Sequence, residues 1–363
     1  MNQNDIAHAR LANQRLTETT FTTAAEVVAW LVAVQSQDYA GARWALGLRL
    51  PPTTDAAIER AFDEGLILRT HVLRPTWHFV TPDDIRPLLT LTAPRVHQTN
   101  GSVYRQLGLD TATLSRSAEV IARALGGGRA LTRDELKAAL DGAGIAAGGA
   151  DRAGQWLAYI VMYAELEGLI VSGPRRGKQF TYMLLDERAP GGRTLARDEA
   201  LVEMARRFFT GHGPATAADF ANWSGLTLTE ARQGLEAVAG ELNSETVDGQ
   251  TYWFADAPRP PRAPSPTAHL LSIYDEYTIG YKDRRAIVSA EDGARLATMG
   301  NALQNVIVMD GRVVGTWRRT LGKGVVSIAL NPFGKLTEAE RAAVGAAAER
   351  LGAFLGLTAD YAD

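Results

Sequence analysis

Gln35-Ser36-Gln37-Asp38 puts two amides and a carboxylate within four residues, just where an apolar helical pattern over 24–34 runs out. An amide carbonyl is a poor base, but it can hold a water in line for attack. Alignment of that kind reaches ~7–11 kcal/mol in favourable systems. Asp38 supplies a true base, or a negative charge facing a cationic transition state. A polar helix end would use the same residue types, since Gln is a good helix former. Geometry separates the two readings. On a regular helix, residues i and i+2 point roughly 200° apart and cannot share a water. A paired role therefore requires the helix to end or distort at Gln35 or Ser36.

Other chemistry is excluded more simply. The chain of 363 residues has no cysteine, hence no disulfide, thiolate metal site or cysteine nucleophile. The six histidines, at 8, 71, 78, 97, 212 and 269, lack metal-ligand spacing, so neither a metal nor a cofactor is expected. Gly126-Gly127-Gly128 is not followed by the Gly-Lys-Ser/Thr of a phosphate loop. Ser36 has no evident base. The N-terminus is polar and no apolar run approaches a membrane span, which predicts a cytoplasmic protein with no membrane partner.

The elements that must position these residues repeat along the chain. Thr23 and Glu26 form a capping-box pattern before a helix over 24–34, a helix over 56–64 ends at Gly65, and β-rich runs over 66–70 and 76–80 form a hairpin. The same order returns with Thr132 and Glu135, helices over 134–140 and 153–167, and strands over 169–172 and 179–184. Glu64-Gly65-Leu66-Ile67 and Glu167-Gly168-Leu169-Ile170 occupy equivalent places. A third round has helices over 198–209, 217–223 and 227–238, with Thr227 and Glu230 as cap and box. Its hairpin turns at Asp248-Gly249.

Helices followed by a hairpin are the layout of a winged helix. The expected architecture is α+β: winged helix 1 over 1–82, connecting helices and winged helix 2 over 83–187, and winged helix 3 over 188–257. A β-rich α/β segment follows over 267–363, with strands over 270–273, 306–309 and 313–317 and a helix over 337–351. Glycines at 142–149 and prolines at 258–266 read as linkers.

Net charge is −3, against a chain that coats nucleic acid indiscriminately. The basic residues nevertheless cluster at connections: Arg69, His71 and Arg74 on the first hairpin with Trp77 and His78; Arg175, Arg176 and Lys178 on the second; Lys282 and Arg284 after Tyr281; Arg318 and Arg319 after Trp317. Cations beside aromatics suit phosphates and bases. A solvated loop accounts for any one cluster; together, on tandem winged helices, they predict a DNA partner.

Gln35-Ser36-Gln37-Asp38-Tyr39, the stretch Arg69–Val80, Ser172–Tyr182 and Tyr274–Arg284 resemble the bacterial AlkZ-type winged-helix DNA glycosylases over nearly the whole chain. The resemblance implies three winged helices around a DNA channel. It also implies a monofunctional monomeric enzyme that excises N7-alkylguanine from double-stranded DNA and unhooks interstrand crosslinks left by alkylating antibiotics. It makes Gln35 and Gln37 the catalytic pair of a Gln-x-Gln motif. Ser36 departs from the aliphatic or aromatic residue usual between the glutamines. An N7-alkylated guanine already carries positive charge and leaves without protonation, so holding a water at the sugar is the task left to the enzyme.

Overall fold

The structure, a computed structural model, describes residues 1–146, 152–255, 265–299 and 304–362. The glycines at 148 and 149 and the prolines at 258–264 read above as linkers lie outside the described residues. The chain mixes α and β elements, gathered into two compact units. One comprises Met1–Glu59, Ala205–Trp223 and Thr227–Asp363; the other comprises Arg60–Met204 and Ser224–Leu226. Among the described residues no helix is long and apolar enough to cross a membrane.

The capping signals read at Thr23, Thr132 and Thr227 hold, and Thr337 adds a fourth. Thr23, Thr132, Thr227 and Thr337 each accept a hydrogen bond from the backbone N–H three residues on, and Glu26, Glu135, Glu230 and Glu340 reach back to complete capping boxes. The helix opened by Thr23 is Ala24–Leu31, shorter than expected. Val32 adopts φ 68°, a left-handed conformation costly for a β-branched residue, and the chain leaves the helix there. Val34–Gln35 follows as extended strand.

A helix not anticipated from the sequence, Tyr39–Leu48, comes next. Nearly all of it is buried, so it lacks the one-sided pattern that betrays a surface helix. Its glycines mark close approaches. A Cβ on Gly41 would lie 2.6 Å from an Asp38 carboxylate oxygen, and one on Gly47 would lie 2.5 Å from the Phe354 ring.

The first unit is built on a five-stranded sheet ordered Thr358–Ala362, Val325–Pro332, Arg312–Leu321, Val306–Met309, Ala268–Leu271. Neighbours are antiparallel except the outermost pair, Val325–Pro332 with Thr358–Ala362, which is parallel. The helix Glu338–Leu355 makes that parallel crossover. The Tyr39–Leu48 helix is tied to this sheet: the Trp44 indole N–H donates to Leu270 O at 2.6 Å, and its ring lies 5.1 Å from that of Phe354. The N-terminal helices and the C-terminal sheet thus share one core. The same unit holds the hairpin Leu242–Val247/Gln250–Ala255, turned by Asp248 and Gly249, both at positive φ as a tight primed turn needs.

In the second unit, the helices Thr111–Leu125, Arg133–Gly142 and Ala153–Leu166 bury Ile121, Leu125, Leu136, Leu140 and Ile160 in one cluster. Its two hairpins are Leu68–Val72/Thr76–Val80 and Ile170–Arg176/Gln179–Leu184.

Candidate active site

The segment at 35–38 lies outside any helix. Gln35 is extended, Ser36 and Gln37 continue irregularly, and Asp38 stands before the Tyr39–Leu48 helix in an extended conformation. The angular objection to a shared water therefore does not apply. Gln35 is buried, Ser36 fully so, and Gln37 is exposed. Ser36 thus fills an interior position. Asp38 is half-buried and makes no side-chain capping bond. Its carboxylate sits over Gly41 at a helix N-terminus, where the helix dipole favours negative charge.

Two consecutive carboxylates hold this segment. Glu276, 1% exposed, accepts the Gln35 backbone N–H at 3.0 Å and the Trp223 indole N–H at 2.9 Å. His212 Nε2 lies 3.4 Å from the same carboxylate, and its ring stacks on Phe208. Asp275, equally buried, accepts two bonds from Arg49, at 2.8 and 2.9 Å. Arg49 caps the C-terminal end of the Tyr39–Leu48 helix and also donates to Gln14 O and Ala45 O. Asp275 and Glu276 lie in the stretch Tyr274–Arg284 that carries part of the resemblance, and the sequence assigns them no role. The available signal was two adjacent acids between apolar runs, a pairing rare in an interior unless both are bonded.

The residues expected to touch DNA fall into three groups. Four are interior, which corrects that expectation. Arg69 is buried between the rings of Trp77 and Phe180, 4.4 and 4.3 Å from their centroids. His71 is buried against Glu165 and lies 4.1 Å from the Trp77 ring. His78 is fully buried and donates Nδ1–H to Thr76 O. Burial, with the positive charge of Arg74 adding to it, holds the His78 imidazole well below its usual pKa, so it stays neutral and attracts no phosphate. Tyr281 is fully buried under Arg10 and donates to His212 O. Arg–aromatic and His–acid pairing let these side chains enter a core.

A second group is only partly available. Arg74 and Trp77 are half-buried. Arg175 donates to Lys178 O, and Arg176, though exposed, is paired with Glu135 and Ala130 O. Burial lowers the pKa of Arg284, which lines a small apolar cavity of about 130 Å³ walled by Ile287, Leu296 and Val306. The third group faces solvent: Lys178, Lys282 and Arg318 are exposed, Arg319 partly so. Arg318 and Arg319 stand near the tip of the hairpin Arg312–Leu321/Val325–Pro332, beside Leu321, which is 60% exposed. Among the described residues no group of three or more His, Asp or Glu is arranged to hold a metal ion.

The fold and this segment meet what is known of other proteins at one point. Residues 28–354 match the family described as DNA glycosylase AlkZ-like. The interstrand DNA cross-link repair glycosylase of Streptomyces sahachiroi is 26% identical over 317 residues, 85% of each chain. The solved structure of Streptomyces sahachiroi DNA glycosylase AlkZ superimposes with a TM-score of 0.81 at 22% identity, covering both chains completely. The protein is a DNA glycosylase, a hydrolase of N-glycosyl bonds. It belongs to the AlkZ-like family.

Proposed function

We propose that this chain hydrolyses the N-glycosidic bond of N7-alkylated guanine in double-stranded DNA, and that bulky adducts and interstrand crosslinks are among its substrates. The observation that carries the reading is the break at Val32, which releases Gln35 and Gln37 from helical geometry so that both amides can hold one water. The relative's printed description, interstrand DNA cross-link repair, supports the crosslink part.

In this reading the leaving group is already cationic, so no general acid is needed. The Gln35 and Gln37 carbonyls orient the water toward C1′, and Asp38 offers a negative charge to the oxocarbenium-like sugar. The helix-and-hairpin segments at 1–82, 83–187 and 188–257 act as winged helices, with 267–363 as the β-rich part. Lys178, Lys282, Arg318 and Arg319 supply the phosphate contacts, the last two from a projecting hairpin. The protein works as a monomer in the bacterial cytoplasm.

The test is incubation with duplex DNA containing N7-methylguanine, or a nitrogen-mustard crosslink, followed by alkali. Strand scission is expected with wild type. Gln35→Ala and Gln37→Ala should each lose it by about 100-fold or more while still binding DNA, since misalignment of a reacting water costs on that order. Duplex binding with no scission above background would instead make the protein a non-catalytic DNA binder.

A further inference from the structure

We propose that Glu276 is a positioning residue for the reaction, acting through the Gln35 backbone, and that its buried carboxylate sets the direction in which the Gln35 amide leaves the chain. This rests on the reading that Gln35 holds the attacking water.

The argument starts from cost. A fully buried carboxylate is expensive to desolvate, and an apolar side chain of similar volume would serve packing at least as well. What Glu276 adds is two acceptors at fixed places. One oxygen takes the Gln35 N–H and the other takes the Trp223 indole N–H, with His212 beside it. The regular strand ends at Gln35, and the N–H that Glu276 accepts lies in the peptide plane leading into that last strand residue. Orienting the N–H of Gln35 orients its Cα–Cβ bond and hence its side chain. The neighbouring Asp275 does the equivalent at the far end of the Tyr39–Leu48 helix through Arg49. Consecutive carboxylates thus hold the segment from both sides, and Glu276 holds the end that bears the reacting amide.

Glu276→Gln separates positioning from packing. The amide keeps size and shape but has one acceptor in place of two, so it can satisfy Gln35 N–H or the Trp223 indole, not both. Its single-turnover excision rate on N7-methylguanine DNA should fall about 10- to 100-fold with duplex affinity unchanged. Trp223→Phe removes the competing donor and frees the remaining acceptor for Gln35. The double variant Glu276→Gln/Trp223→Phe should therefore excise faster than Glu276→Gln alone. A purely structural role predicts the opposite, with the double variant at least as slow and with affinity and melting temperature falling together.

Should Glu276→Gln fail to fold by near-UV circular dichroism, Glu276→Asp carries the test. It keeps both acceptors but draws them back by one methylene, and a rate below wild type with unchanged affinity is expected. A wild-type rate in the folded variant, with Gln35→Ala inactive, overturns the proposal alone. A wild-type rate in Gln35→Ala overturns the parent reading and this proposal with it.

Discussion

In the hairpin Leu68–Val72/Thr76–Val80, Arg69 lies flat between Trp77 and Phe180, and two histidines are sealed beside it. In the hairpin Arg312–Leu321/Val325–Pro332, Trp317 is buried, its indole bonded to Leu271 O, while the next residue, Arg318, faces solvent. Both hairpins carry arginine and tryptophan, and both read alike in the sequence as DNA grips. The difference lies in which face of the pleat the arginine occupies and whether that face is covered. Strand side chains alternate, so Trp317 inward places Arg318 outward. The earlier hairpin is covered on both faces: Leu68–Val72 is buried at every position. Its charges had to find partners inside.

That contrast can be tested from its largest expected effect downward. Glu165→Ala leaves buried His71 without its partner and should cost ~3 kcal/mol in denaturant unfolding, the scale for breaking a buried pair. A loss under about 1 kcal/mol, the average for any substitution, would show that the pair is not structural.

Arg69→Ala removes a guanidinium stacked on two rings and should cost about 2 kcal/mol. Arg318→Ala should stay within about 0.5 kcal/mol, as exposed sites usually do. Equal melting-temperature shifts for the two variants would erase the distinction.

The third prediction concerns acid. Burial depresses His269 to about 3, with Arg350 and Arg49 adding to it, and holds His78 well below its usual value. Below about pH 6.5 the unfolded chain protonates these imidazoles and the folded chain does not. Their contribution to stability is therefore complete above about 6.5 and drains away as pH falls, for His269 down to about 3. Each adds a slope of up to about 1.4 kcal/mol per pH unit. His78→Asn and His269→Asn should each flatten the acid limb of stability against pH, and parallel limbs would count against neutral buried histidines.

The smallest effect is on DNA. If Arg318 meets a phosphate, Arg318→Ala should lower the slope of log affinity against log salt by about 0.9. Arg69→Ala, measured on folded protein, should leave that slope alone. A change in both would mean that the buried hairpin also contacts DNA.

Local signals in the sequence served well where the physics is local. Capping boxes at Thr23, Thr132 and Thr227 marked helix starts to within a residue, because cap and box bond across three residues of one chain. Asp248-Gly249 marked a turn because few residues accept positive φ. Gln35 and Gln37 were singled out by type and spacing, together with the need for the helix to break beside them. The sequence missed the Tyr39–Leu48 helix, whose glycines look like breakers until Asp38, Ser272 and Phe354 are seen pressed against them.

What the amino-acid order determined alone was the inventory: the helix starts, the hairpin turns, the pair of glutamines and the absence of thiol chemistry. Tertiary structure decided which charges point inward. Arg69 and Arg318 are the same residue type in the same kind of strand, and only the layer packed over each separates a core stack from a surface cation. It also decided what holds Gln35. Glu276 is 241 residues away in the chain, and no local rule links a backbone N–H to a carboxylate at that distance until the fold has closed the loop between them.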